Sequence, residues 1–416
     1  MPVRRIRRKE YLDKLISFKD KRLIKVITGI RRSGKSTLLE IFRDHLKENG
    51  VDEKRIIEIN LENFDHYELR DPFRLYDHIK DRLTDGKMNY VFLDEVQHVE
   101  NWQEAVNSLM LRKNVDLYIT GSNAHLLSGE LATYISGRYV EIKILPLSFK
   151  EFAEGFVSSG QSGSSFPDSP DDFSLSGLYR KYIEMSSFPY VLELKDQPEV
   201  IRDYLEAVYN TIVVKDIAIR HKIPDTMMLE SITRFLFDNI GNPVSCKKIA
   251  DTMSSSGRKI DVKTVEKYVR SLTESFVFYP VKRYDIKGKQ YLRTSGKFYA
   301  ADVGMRRMLL GSRAADSGRI LENIVYLELL RRGYTVYTGK INSLEIDFMA
   351  ENKEGIIYIQ VSSTVRDKET LDRELEPLKK ITDHYPKMIL TLDDDPKADH
   401  DGIRIMNALD WLVNRL

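Results

Sequence analysis

Short apolar runs and helically spaced stretches alternate along the first third of the chain. RLIKVIT at 22–28 is rich in β-branched residues and predicts a strand. STLLEIFRDHLKENG at 36–50 has helical spacing and stops at Gly50. YVFLDE at 90–95 and VDLYITGSN at 115–123 are further strand-like runs whose tips turn acidic or polar, and HLLSGELATYISGRYVEIKILPLS leads into another. Strands alternating with helices predict a parallel α/β sheet. Residues 155–177, GFVSSGQSGSSFPDSPDDFSLSG, break the pattern: a stretch so rich in Ser, Gly, Pro and Asp buries too little apolar surface to order itself. Beyond it, 178–194 and 200–223 predict helices broken near Pro189. Helical patterns at 227–240, 246–255 and 261–275 come next, with Asp261 or Thr264 as the cap of the last. Its core positions are Val262, Val265, Val269 and Leu272. FVFYPVKRYDIKGKQYLRT then predicts two strands around Ile286-Lys287-Gly288. The remainder predicts a helix bearing Glu322, one strand with Glu345 and Asp347 and one with Gln360 and Ser362. A helix at 368–385, a strand at 388–393 and a terminal helix at 408–416 complete it.

Composition narrows the class. With 416 residues, 31% charged and 42% hydrophobic, the chain is of ordinary globular make-up and long enough for two to four domains. The single cysteine, Cys246, excludes a disulfide scaffold and a cysteine-rich zinc site, and a reducing cytoplasmic setting is the expectation. The basic start MPVRRIRRKEYLDKL lacks the apolar segment of a signal peptide, and no apolar run reaches the ~18 residues of a membrane span. The net charge of +2 is far from that of a dedicated nucleic-acid binder. DNA contact would depend on a local patch, either RRIRRK at 4–9 or VKRYDIKGKQYLR at 281–293.

The most specific chemistry lies between the first strand and the first helix. GIRRSGKST, residues 29–37, is G-x-x-x-x-G-K-S in strand–loop–helix context, a phosphate-wrapping loop. Gly29 and Gly34 let backbone N–H groups of the Arg31, Arg32 and Ser33 segment turn inward. Lys35 is placed to reach the β and γ phosphates, and Ser36, followed by Thr37, offers a hydroxyl to Mg²⁺. Such a loop needs a carboxylate on the metal side. Asp94 at a strand tip fits that need, and Glu95 beside it is suited to polarising an attacking water. Ser122 or Asn123, at the tip of the next strand, is a candidate γ-phosphate sensor. Arg138, in an SGR turn, could reach a γ-phosphate, either its own or a neighbour's; a structural salt bridge is the plainer reading.

The order GIRRSGKST, YVFLDEVQHVENW, LYITGSNAHLLSGELATYISGR, EIKILPLSFKEF resembles a widespread bacterial and archaeal group of AAA-type ATPases with a C-terminal domain of uncharacterised function. The resemblance covers nearly the whole chain and implies ATP, Mg²⁺ and a P-loop NTPase core. Trp102 matches the family pattern, though packing explains an aromatic there equally well. The architecture it implies is α/β: a P-loop ATPase core at 1–154, an insert and helical lid at 155–225, a winged helix at 226–300 and a restriction-endonuclease-like domain at 301–416. Where relatives carry a glycine turn, this chain has Ser186-Ser187-Phe188-Pro189. Arg220 is a candidate second sensor, with a surface role the simpler account.

On the winged helix, Lys263, Lys267 and Arg270 of the third helix and Lys282, Arg283, Lys287 and Lys289 of the hairpin are candidate phosphate contacts. No face gathers Arg, Asn and Gln for reading bases, so interdomain coupling weighs above DNA contact. In the last domain, Glu322 and Asp347 match the acids of the endonuclease-like pattern. Gln360 stands where an acid belongs, and Ser362 where the lysine belongs. Metal-assisted phosphodiester cleavage needs carboxylates and a positive or water-orienting group, so the site reads as eroded unless Lys379 or Lys380 supplies the charge. The sequence therefore points to an Mg²⁺-dependent ATPase working as a conformational switch, with an undefined protein partner and self-association open. The alternatives are a DNA-processing ATPase and a nucleotide-binding scaffold with little turnover.

Overall fold

The computed structural model describes residues 5–122, 137–160, 173–194, 197–313, 316–396 and 399–414. The chain divides into two compact units, Met1–Pro146 with Glu274–Phe276, and Leu147–Thr273 with Val277–Leu416.

In the first unit, five parallel strands form one sheet in the order β2-β3-β4-β1-β5. They are β1 Ile24–Thr28, β2 Ile56–Asn60, β3 Asn89–Asp94, β4 Val115–Gly121 and β5 Tyr139–Lys143. Every residue of β1 and β3 is buried, as expected for strands covered on both faces. Their alternation loads two cores. Ile24, Val26, Val91, Leu93, Leu117 and Ile119 face one, which also holds Trp102. Ile27, Tyr90, Phe92 and Tyr118 face the other, against Leu38, Leu39 and Phe42 of the helix Lys35–Glu48. Trp102 is therefore a core residue.

Near the starts of β1 and β4, Lys25 forms a fully buried ion pair with Asp116, whose Oδ2 also accepts from Tyr118 Oη (2.8 Å) and the Asp20 amide (2.9 Å). Loss of hydration pulls the Lys25 ammonium down and the Asp116 carboxyl up, and their attraction opposes both shifts.

The basic N-terminal patch is partly structural. Arg8 is buried and donates to the Ser33 carbonyl (2.9 Å) and the Pro146 carbonyl (3.2 Å), with its guanidinium over the Tyr11 ring. Arg5 pairs with Glu40 and Asp44.

The second unit begins with helices. Phe149–Gly160 is helical, which corrects the expectation of an unordered insert for 155–160; 161–172 lie outside the described residues. Helices Leu175–Met185 and Pro198–Asn210 flank a 3₁₀ turn at Pro189–Glu193, and the latter runs on into a π-helical segment, Thr211–Ile219. The segment expected as a lid thus groups with the second unit rather than with the nucleotide core. Ser186 and Ser187, at the turn where the resemblance led us to expect a glycine, both donate hydroxyls to Asp302 Oδ2 (3.0 and 2.6 Å).

Helices Thr226–Asp238, Cys246–Ser255 and Val262–Glu274 match the expected trio. Asp261 caps the third by accepting from the Thr264 amide at 2.9 Å. Val262 is 38% exposed, and Tyr268 takes its place among the buried residues.

The hairpin β6 Phe278–Asp285 and β7 Gln290–Ala300 is where the sequence suggests a wing. It does not stand free. β6 pairs in parallel with β8, Thr335–Ile341, in the register Arg283↔Thr338 to Asp285↔Lys340. With β9 Leu344–Asn352, β10 Gly355–Ser362, β11 Lys387–Thr391, β12 Asp399–His400 and β13 Ile403–Asn407 it completes an eight-stranded mixed sheet. The order is β12-β13-β11-β10-β9-β8-β6-β7. The expected boundary at 300/301 therefore cuts through a sheet.

Candidate functional site

Parallel strands bring β1, β3 and β4 to one sheet edge with their C-terminal ends together, the place where open α/β sheets bind ligands. Residues 29–34 leave β1 there and turn into the helix Lys35–Glu48. Gly29 has φ 147°, and a Cβ on it would lie 2.2 Å from the Ile144 carbonyl oxygen, so only glycine fits. Gly34, at φ 93°, is the helix N-cap and brings no side chain to cover the first turn's N–H groups, leaving them for an anion. Arg32 is left-handed as well, at φ 67°. Arg31 bonds Glu62 Oε1 at 2.8 Å. Lys35 is buried, its Nζ on the Gly29 and Ile30 carbonyls at 3.1 and 3.3 Å. Ser33 Oγ is buried and unpartnered, the kind of donor that a phosphate oxygen would satisfy.

Asp94 ends β3 with Ser36 near enough to help lower its carboxyl, so the hydroxyl and carboxylate expected on the metal side lie close together. Burial pushes the Asp94 carboxyl upward, opposed by the hydrogen bonds from Thr120 and Ser36. A divalent cation at this pair would supply the missing positive charge, and the donor set of one carboxylate and one hydroxyl suits Mg²⁺ completed by water and phosphate oxygens. Thr120 is a polar residue at the tip of β4, where sequence reasoning assigned a role only to Ser122 or Asn123. Its hydroxyl donates to Asp94 Oδ1 and accepts from the Glu95 amide at 2.9 Å.

Glu95 is buried at φ 54°, and its Oε2 accepts from Gln97 Nε2 and, at 3.4 Å, from Ser122 Oγ. Asn123, the other candidate sensor, lies outside the described residues. Arg138 is exposed and sits just before β5, with its carbonyl accepting from the Ile24 amide. Because β5 runs parallel to β1 in the register Ile24↔Tyr139 to Thr28↔Lys143, Arg138 lies at the sheet end opposite the phosphate loop. Four strand steps of about 3.3 Å separate the two ends, beyond the length of an arginine side chain. Its own loop is out of reach, which leaves a neighbour's γ-phosphate or a structural salt bridge. Arg220 is exposed, as a surface role requires.

A second cluster lies in the eight-stranded sheet. Glu322, from helix Ser317–Arg331, and Glu345 and Asp347, from β9, converge on Lys297 of β7, which the sequence did not single out. Lys297 Nζ is 2.8 Å from Glu322, 3.0 Å from Glu345 and 3.4 Å from Asp347, and its side chain is 3% exposed. Tyr299 Oη also donates to Glu322 Oε1 at 2.5 Å. Burial lowers the Lys297 ammonium, but its acidic neighbours Glu322, Asp347 and Glu345 outweigh it and hold the charge far above the ordinary range. Burial raises the Glu322 carboxyl to about 7 although the ammonium opposes it.

Gln360 is tied on both sides, its Oε1 accepting from the Asp347 amide (2.7 Å) and its Nε2 donating to Glu374 (2.8 Å). Ser362 donates to the Thr364 carbonyl instead of facing the acids. Lys379 and Lys380 pair with Asp401 and Glu376 at the surface, so neither is the displaced lysine. Among the described residues no group of three or more His, Cys, Asp or Glu is arranged to hold a metal ion; in this cluster the Lys297 ammonium lies among the three acids. No helix of the described residues is long and apolar enough to cross a membrane. Lys263, Lys267, Arg270, Lys282, Lys287 and Lys289 are all exposed and Arg283 is half-buried.

Residues 21–153 match the family described as "AAA domain", and residues 176–316 match a "Domain of unknown function (DUF8612)". The chain is 41% identical over 409 residues to an uncharacterised protein of Haemophilus influenzae, covering 98% of both. To an uncharacterised protein of Methanocaldococcus jannaschii it is 29% identical, over 89% of this chain and 82% of that one. Among solved structures, a Walker-type ATPase of Pyrococcus abyssi matches with 16% identity and a TM-score of 0.48, over 73% of this chain and 96% of that chain. With 41% identity over nearly the whole of the first relative and the AAA match over the loop-bearing sheet, the chain belongs to the bacterial and archaeal AAA-type P-loop ATPases that carry a domain of unknown function after the ATPase domain.

Proposed function

We propose that this chain is an Mg²⁺-dependent ATPase that uses its nucleotide state as a conformational switch for the helical and mixed-sheet parts of the second unit. The observation that carries this reading is the convergence of Ser36, Asp94, Thr120 and Glu95 beside the glycine-shaped loop. Backbone N–H groups of residues 31–37 cradle the phosphates, and Lys35 leaves its two carbonyl partners for the β and γ oxygens. Ser36 and Asp94 hold Mg²⁺, which when bound neutralises charge on those oxygens. Thr120 fixes Asp94 by hydrogen bond and, through the Glu95 amide, sets the height of the carboxylate that takes the water's proton. Ser122, beside Glu95, senses the terminal phosphate, a role that Asn123 shares as a candidate.

The second unit acts in this reading as a binding and coupling module: helices 226–274 with the β6–β7 hairpin in a winged-helix role, and an endonuclease-like sheet that does not cleave. The neutral Gln360, the diverted Ser362 and the ammonium between the acids support an eroded site. Exposed basic residues on the third helix and the hairpin favour a second reading, in which DNA stimulates turnover.

Steady-state phosphate release from ATP, with and without duplex DNA, tests both. The expected result is slow, Mg²⁺-dependent release, indifferent to DNA and abolished in Glu95→Gln while nucleotide still binds. Strong DNA stimulation that steepens as salt falls selects the second reading. Binding without turnover in every condition leaves a nucleotide-dependent scaffold.

A further inference from the structure

Gln97 follows the acidic pair by two residues, in the short turn Val96–His98 that reverses the chain after β3. The left-handed Glu95 starts that turn, so the turn brings the side chains of residues 95 and 97 together. Gln97 Nε2 donates to Glu95 Oε2. The opposite orientation of the amide would set two acceptor oxygens against each other, so the carboxylate fixes which end faces it. The other end is the informative one. Gln97 Oε1 is buried and has no hydrogen-bond partner. A buried carbonyl oxygen left unmatched is unfavourable, and such an oxygen fixed beside a reactive carboxylate has a ready complement in a water O–H.

Resting on the ATPase reading above, we propose that Gln97 positions the attacking water. One hydrogen of the water goes to Glu95 and the other to Gln97 Oε1, which turns an oxygen lone pair toward the terminal phosphate. In the step, that oxygen bonds to the γ-phosphorus as the bond from phosphorus to the β–γ bridging oxygen breaks. The proton leaves to Glu95, and the products are ADP and inorganic phosphate. Gln97 gives and takes no proton. It orients the water, and its N–H keeps Glu95 Oε2 in place. Ser122, 3.4 Å from the same Oε2, is the weaker second support.

The test compares wild type with Gln97→Met, which keeps length and loses both polar ends, and with Gln97→Glu. Phosphate release, KM for ATP, ADP affinity by calorimetry and apo melting temperature are read together. The inference expects Gln97→Met to lower kcat by about 100-fold, the cost of a misplaced reactant, with KM and ADP affinity within about two-fold of wild type. Gln97→Glu is expected to be slow at pH 8 and to recover relative to wild type toward pH 5.5, as its new carboxyl takes a proton and again presents one donor and one acceptor. Unchanged or faster turnover in Gln97→Met overturns the inference and makes the Gln97–Glu95 bond a restraint on the base. Equal losses in ADP affinity and melting temperature, without a separate effect on kcat, overturn it in favour of a packing role. A wild-type chain that binds ATP and never hydrolyses it overturns this inference together with the ATPase reading, whereas the first two outcomes leave that reading standing.

Discussion

At Lys297 one ammonium serves three carboxyl groups, and the residue that tells most about the balance is Glu322. Its carboxyl is buried, and a Cβ on Gly241 would come within 2.9 Å of its Oε2. Loss of hydration outweighs the attraction to Lys297, and the folded chain keeps the Glu322 proton up to about pH 7 against an ordinary 4.5. Between those values the folded state binds more protons than the unfolded one, so stability falls as pH rises through the window. The contribution is whole below the lower value and gone above the upper. Glu322→Gln keeps an oxygen for Lys297 and Tyr299 and cannot titrate. Its stability relative to wild type should therefore climb between pH 5 and pH 8, measured by urea denaturation at each pH. A difference flat in pH would mean that Lys297 keeps Glu322 ionised throughout. The same two residues show what the sequence hid. Glu322 and Asp347 were legible as acids from the order of elements, but Lys297 is remote from both along the chain. Only its two-residue spacing from Tyr299 in GKFYA marked them as sharing a face of the strand.

Elements were easier to read than their partners. Strands β1, β3 and β4 announced themselves by continuous apolar runs and polar tips, and the helices 226–238, 246–255 and 262–274 by spacing. Alternation in the β6–β7 hairpin fixed which residues share a face, but periodicity carries no record of which strand lies alongside. Hence the hairpin's place in the eight-stranded sheet was illegible. The N-terminal segment failed for another reason. RRIRRK reads as a solvated basic patch, because charge counting cannot see an arginine spent on carbonyl groups. Arg8 satisfies the Ser33 carbonyl in the phosphate loop and that of Pro146. Removing it strands buried acceptors at about 1–3 kcal/mol and loosens the loop from behind. Arg8→Ala should lower both the melting temperature and ADP affinity, whereas exposed Arg7→Ala should change stability by no more than about 0.5 kcal/mol. Equal behaviour of the two variants by differential scanning calorimetry and nucleotide titration would return the whole segment to the surface.

For the whole molecule, the parallel sheet constrains how any arginine can complete the site. The loop, Asp94, Glu95 and Thr120 gather at the strand ends, while Arg138 enters β5 beside the first residue of β1. If Arg138 stabilises charge on a γ-phosphate, the phosphate belongs to a second copy of the chain. Phosphate release per chain should then rise with protein concentration and level off as self-association saturates. Arg138→Ala should flatten that curve without weakening nucleotide binding. Two crippled variants sharpen the test: Glu95→Gln keeps the arginine and lacks the base, and Arg138→Ala keeps the base and lacks the arginine. Neither alone should turn over appreciably, and a mixture should regain activity, because mixed contacts pair an intact Arg138 with an intact Glu95. Turnover in Arg138→Ala that matches wild type at every concentration would take the arginine out of the reaction, and with it the reason for the chain to assemble in order to hydrolyse.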